Sequence, residues 1–229
     1  MHRIACLVTA SVFATLTIAL VPGHAVGACR PPRQVTEATP DQVRAFFNSK
    51  HAKVVTFLGY SGAGYEDGGA ILGLADAALK DLDPKHWIVN IGATEEGIGA
   101  VYEIAKQRGF TTSGIVSTQA RDQKVALSPC VDFVFYVKDA TWGGHLPHKK
   151  KLSPTSMAMV AISDTMIAIG GGAVARDEVL EARRLGKKTE FIAADMNHRA
   201  AREKAARQDQ PEPTDFRGSA DAALRLRMP

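Results

Sequence analysis

Nothing in these 229 residues resembles a basic surface that reads nucleic acid. Lysine and arginine number 28 against 24 acids, the two signs are interspersed, and no basic patch alternates with aromatics. The tract His148-Lys149-Lys150-Lys151 is short and isolated, and it reads as a solvated loop. A nucleophilic serine of the hydrolase kind is missing too. The segment Gly59-Tyr60-Ser61-Gly62-Ala63 ends in alanine where G-x-S-x-G requires glycine, which excludes an acyl-transfer hydrolase of that kind. Metal-ligand spacing is also lacking: Asp139, His145 and His148 fall in one irregular segment without helical or strand periodicity, so neither a metal nor a cofactor is expected. Cys130, just ahead of a predicted strand, reads as a buried structural thiol.

What is present describes one globular domain behind an export signal. Hydrophobic residues make up 45% and charged residues 23%, close to the globular average. Met1-His2-Arg3 gives a short basic start, and residues 4–21 run without a charge before Pro22-Gly23 breaks the run, in the order of a secretory signal. Ala25-Val26-Gly27-Ala28 supplies small residues for cleavage, with Cys29 next. Val26-Gly27-Ala28-Cys29 resembles a relaxed bacterial lipobox, which would make Cys29 a lipidated membrane tether. The other open fate is a disulfide with Cys130 in an oxidising compartment. The chain divides into a signal at 1–28, a polar, proline-bearing tether at 29–40, a domain at 41–210 and a C-terminal extension at 211–229.

Within the domain, apolar runs alternate with helical spacing. Val54-Val55-Thr56-Phe57-Leu58-Gly59 reads as a strand buried on both faces, followed by a glycine loop and a helix over residues 67–82. Five more such runs, at 87–92, 112–117, 131–137, 165–169 and 190–193, alternate with helices. The pattern predicts an α/β fold with a doubly wound, mostly parallel sheet of about six strands, Rossmann-like, with helices on both faces. In such a sheet, ligands bind beyond the carboxyl ends of the strands. The loops after Gly59, Gly92 and Ile169 are therefore predicted to meet in one crevice, where glycine lets backbone N–H groups approach an anion. The candidate ligand-binding set is Gly59, Ser61, Gly62, Gly92, Thr94, Gly97, Gly99, Gly170, Gly171, Gly172 and Asp195. Asp195 or Asn197 also suits the N-cap of a following helix. The long segment 138–152, carrying Trp142-Gly143-Gly144-His145, is expected to lie over the sheet's edge.

The run Gly170-Gly171-Gly172-Ala173-Val174-Ala175-Arg176-Asp177-Glu178 resembles P-G-G-x-G-T-x-x-E of the SLOG superfamily, in particular its Lonely Guy phosphoribohydrolases, a "lysine decarboxylase-like" group. Phe57-Leu58-Gly59-Tyr60-Ser61 is similar to that family's first G-S loop, Gly97-Ile98-Gly99-Ala100-Val101 to its G-x-x-G-x-M helix start, and Asp164 to the acid before its fifth strand. The resemblance implies a Rossmann-like fold, a nucleotide-class ligand and, in an enzyme, Glu178 as the catalytic carboxylate. Gly170, Val174 and Ala175 replace the motif's proline, glycine and threonine. The family's arginine–lysine pair has no counterpart in residues 156–163. Thr56 to Ser61 and Ala193 to His198 are also similar to segments of exported bacterial proteins of unknown function. The expectation is thus an exported binding domain, periplasmic or membrane-tethered, for a nucleotide or sugar-phosphate ligand. An N-glycosidase using Glu178 and a structural lipoprotein without ligand are the alternatives, and a homodimer stands as an open partner.

Overall fold

The computed structural model describes residues 29–225; the expected signal, 1–28, lies outside them. Seven strands form one wholly parallel sheet: β1 Gln34–Glu37, β2 Lys53–Gly59, β3 Trp87–Ile91, β4 Thr111–Ser117, β5 Phe133–Val137, β6 Thr165–Ile169 and β7 Lys188–Ile192. Their spatial order is β1-β5-β4-β3-β2-β6-β7. From central β2 the chain winds outward through β3, β4 and β5, then returns to lay β6 on the other side of β2. The expected doubly wound α/β fold is therefore present, with one strand more than predicted.

The extra strand comes from the segment read as a tether. Val35 pairs with Val134 and Thr36 with Phe135, the Arg33 N–H donates to the Asp132 carbonyl at 2.9 Å, and Cys29 is disulfide-bonded to Cys130. An edge strand needs only one paired side, so this one tolerates the polar sequence QVTE.

Helices cover both faces. On one face lie α1 Pro40–Ser49, α5 Pro154–Ile162, α6 Ala173–Arg184 and α8 Gly218–Leu224, contributing Val43, Phe47, Met159, Val179 and Leu224 to a core beneath Val54 and Leu58. On the other face lie α2 Gly68–Leu79, α3 Val101–Gln107 and α4 Thr118–Asp122, packing Ile71, Leu79 and Tyr102 against Val55 and Phe57. Alternation along β2 thus feeds two cores, which is why that strand is apolar throughout. Helix α7, His198–Arg207, begins at Asn197, whose side chain accepts the Ala200 N–H.

Two polar devices fix α5 and β6 against the sheet. Thr56, Asn90 and Ser113 form a buried hydrogen-bonded row across β2, β3 and β4, joined by Ser163 at the end of α5. Asp164, the acid of the family resemblance, accepts the Val54 N–H at 2.7 Å. It works at the amino ends of the strands and aligns β6 with β2. Among the described residues no helix is long and apolar enough to cross a membrane.

Candidate functional site

A cavity of about 190 Å³ opens at the carboxyl ends of β2, β3 and β4, where a doubly wound sheet places its ligands. Its floor is Phe57, Leu58 and Gly59 with Ile91, Gly92, Ile115 and Val116. Met159 and Thr155 of α5 form one wall, Val174, Ala175 and Glu178 of α6 another, and Ile98, Ser61 and Thr94 the rim. Trp142 covers part of the mouth and is 46% exposed.

Glu178 is the one ionisable group of this lining, and it is 2% exposed. The Gly144 N–H donates to Ser156 Oγ at 2.7 Å, and the Ser156 hydroxyl in turn donates to Glu178 Oε1 at 2.5 Å. Glu178 Oε2 has no hydrogen-bond partner among the described residues. Burial pushes the carboxyl up to about 8; the Ser156 hydrogen bond opposes that rise and the charge of Asp177 adds to it. At neutral pH the group is therefore predominantly a neutral acid. With Oε1 engaged by Ser156, Oε2 is the atom left to carry the proton.

The loop between β5 and α5 is held down on both sides of this acid. Asp177, also buried, accepts the His145 N–H at 2.9 Å and pairs with Arg176 and with His145 Nδ1. Gly143 and Gly144 have φ of 129° and 76°, and a side chain at Gly143 would run into Val174 and Ser156, one at Gly144 into the Asp177 carboxylate. Only glycine lets the backbone pass that close to α6. At the loop's start, burial works against ionising Asp139, but the N–H groups of Thr155 and Thr141 outweigh it and hold its carboxyl below the usual range. The loop expected over the sheet's edge thus lies across the cavity, between α5 and α6.

Beneath the rim, Ala93 has φ of 65° while fully buried. Non-glycine residues hold that conformation at a cost of roughly 1–3 kcal/mol. Its N–H donates to the Tyr102 hydroxyl, and its carbonyl accepts the Ser128 N–H at 2.9 Å. The strain falls between Gly92 and Thr94, both cavity residues.

The predicted ligand set divides. Gly59, Ser61, Gly92, Thr94 and Glu178 come together at the cavity, with Gly62 exposed beside them. Gly97 and Gly99 are packing glycines: a side chain at Gly97 would strike the Tyr60 and Ser61 carbonyls, and one at Gly99 the Thr94 carbonyl. The third glycine loop does not join the crevice as expected. Gly170 faces the Tyr60 ring and the Ala194 carbonyl, and Gly171 lies among Ala175, Gly59 and Ala220 of α8. The Gly171 carbonyl accepts the Ala220 N–H at 3.1 Å. Only Gly172 has open space around it; it is the N-cap of α6 and gives that helix no side-chain cap. Asp195 sits apart, paired with His198 and Arg217. Among the described residues no cluster of His, Cys, Asp and Glu is arranged to hold a metal.

Sequence reasoning missed Ser156. In the sequence it stands only as a position lacking the family's basic pair, and the one signal available is a serine in the first turn of the helix. Tyr65 was missed as well. Its hydroxyl donates to the Ile169 carbonyl at 2.7 Å and closes the gap between β2 and β6, where the direction of winding reverses, and the cavity lies toward β3 and β4 instead.

The chain matches no family model and no curated protein sequence. Among solved structures it is similar to the molybdenum cofactor carrier protein of Chlamydomonas reinhardtii, at 17% identity over 76% of this chain and 97% of that one, TM-score 0.45. It is similar to the molybdenum cofactor binding protein of Rippkaea orientalis, at 18% identity over 69% of this chain and 85% of that one, TM-score 0.44. The DNA processing protein A of Streptococcus pneumoniae gives 11% identity over 76% of this chain and 62% of that one, TM-score 0.42. All three are below 20% identical to this chain, which is divergent from them in sequence. The chemistry of the site rests on its own residues.

Proposed function

We propose that the protein is an exported binding domain for a nucleotide or nucleotide-derived phosphate, held in the Glu178 cavity. The observation that carries this reading is the mostly apolar cavity at the strand carboxyl ends, lined by the buried Glu178, whose Oε2 has no hydrogen-bond partner among the described residues. A buried polar atom without a partner costs roughly 1–3 kcal/mol, and a ligand that pairs with it removes that cost. The uncapped N-terminus of α6, beside Val174 and Ala175 of the same cavity, offers N–H groups and a positive dipole end to a phosphate at the mouth.

Export is supported by the basic-then-apolar start of the chain and by the Cys29–Cys130 disulfide, which suits an oxidising compartment. A sulfur engaged in that bond has none left for lipidation, so the disulfide favours a simply secreted form over a lipoprotein.

The hydrolytic reading is weaker. Glu178 occupies the position of the family's carboxylate, but a neutral acid offers no charge to a developing ribosyl cation, and α5 carries no basic residue. The test is thermal denaturation of the protein with nucleoside monophosphates, nucleotide sugars and molybdenum-cofactor derivatives, the last because two similar proteins are named for that cofactor. A ligand at a hundredfold its dissociation constant adds roughly 2.7 kcal/mol. Stabilisation without release of free base is the expected result. Base release lost in Glu178→Gln overturns the binding reading in favour of hydrolysis.

A further inference from the structure

Resting on that binding reading, we infer that the cavity takes one flat heterocyclic ring, covered by Trp142 and hydrogen-bonded at one edge by Glu178, while the sugar and phosphate stay outside over the N-terminus of α6.

Size is the first argument. Sites for drug-sized ligands measure roughly 300–1,000 Å³, and about 190 Å³ holds a ring system rather than a whole nucleotide.

Charge is the second. The lining contains no lysine or arginine, and the nearby Arg176 is paired with Asp177. An anion inside would meet apolar walls and a buried acid, and burying unpaired charge is strongly unfavourable. The phosphate therefore belongs at the mouth, where Gly172 leaves the first turn of α6 without a side-chain cap. A neutral ring suits the interior, whose walls include Phe57, Ile91, Ile98, Ile115, Met159 and Val174.

The polar contact is single. Ser156 occupies Oε1 and Oε2 is unpartnered but covered, so a ring that reaches Glu178 pairs with one oxygen at one edge atom and finds no second oxygen for an amidine-like pair. Trp142 supplies the face. A large aromatic left 46% exposed at the mouth of an apolar cavity gains burial and stacking when a ring slides beneath it. The two contacts share one support: the hydroxyl of Ser156 holds Glu178 and accepts the N–H of Gly144, two residues after Trp142.

The chain has two tryptophans, and Trp87 begins β3 at the opposite, amino end of the strands. In Trp87→Phe, emission therefore reports Trp142 alone. The experiment titrates this variant with the four common ribonucleoside 5′-monophosphates, their free bases and ribose 5-phosphate. It repeats the binding by calorimetry in Trp142→Ala and Trp142→Phe. The inference expects saturable change of emission with at least one monophosphate and its base, and none with ribose 5-phosphate. It also expects affinity at least tenfold weaker in Trp142→Ala and substantially restored in Trp142→Phe. If a monophosphate binds while ribose 5-phosphate competes equally well, or if Trp142→Ala binds as tightly as the parent, the ring assignment is wrong and the binding reading survives. If no monophosphate, base or sugar phosphate binds by either method, the ring assignment is overturned, and the binding reading is overturned with it when nucleotide sugars and molybdenum-cofactor derivatives also fail to stabilise the protein.

Discussion

Glu178 is kept in the core at a cost that its titration exposes. Below about pH 4.5, its ordinary value, the folded and unfolded chains both hold the proton, and the contribution of this group to stability is intact. As pH rises toward about 8, the unfolded chain releases the proton and the folded chain keeps it, so stability falls and the contribution is lost by the folded value. A gap of that size corresponds to about 4–5 kcal/mol as a ceiling. Glu178→Gln should therefore denature later than the parent at pH 9, with the difference shrinking toward pH 4.5; urea melts across that range check it, and a constant difference would contradict the account. Gly171 is the opposite kind of residue, required by packing rather than by a ligand. Its φ is 125°, and an added Cβ would lie 2.6 Å from that of Ala175. Gly171→Val is expected to lower stability by about 1–3 kcal/mol or more, seen as an earlier melt whether or not ligand is present.

Among the elements, α8 explains why the third glycine loop is closed. The Tyr60 hydroxyl donates toward the carbonyls of Ala194, at 3.2 Å, and of Phe216 and Arg217, tying the segment before α8 to the loop after β2. Tyr60→Phe leaves those carbonyls without that donor and should cost about 1 kcal/mol, measured as a lower melting temperature and faster amide exchange over residues 216–224. Little of this was legible in the sequence. The glycine spacing at Gly170, Gly171 and Gly172 reads the same whether the loop cradles a phosphate or a neighbouring helix, because both demand backbone exposed to close approach. Strands such as Thr165–Ile169 were legible to the residue, since a central parallel strand must be apolar on both faces. Gln34–Glu37 was not: an edge strand flanked by solvent needs no apolar pattern, and two prolines before it imitate a linker. Of the site, Gly59, Gly92 and Glu178 could be found because loop and motif positions are local. The Gly144–Ser156–Glu178 chain could not, because it joins three segments that only the tertiary fold brings together.

At the scale of the molecule, the disulfide fastens the start of the described chain to the base of β5, closing a loop with a sequence separation of 101 residues. A crosslink over that length constrains the unfolded chain, and reduction or Cys130→Ala should cost about 2–5 kcal/mol. Peptide mapping without reductant should recover Cys29 joined to Cys130, whereas an acylated Cys29 in the membrane fraction would contradict the secreted form. The central claim is that the cavity between α5, α6 and the ends of β2, β3 and β4 is a ligand site. Its most direct test is calorimetric titration of ribonucleoside monophosphates into the parent and into Val174→Phe, which fills the cavity from α6. The account predicts saturable binding at one site per chain in the parent, and its loss in a Val174→Phe protein that still folds. Equal affinity in the two proteins, or no binding by the parent to any of the ligands, would contradict it.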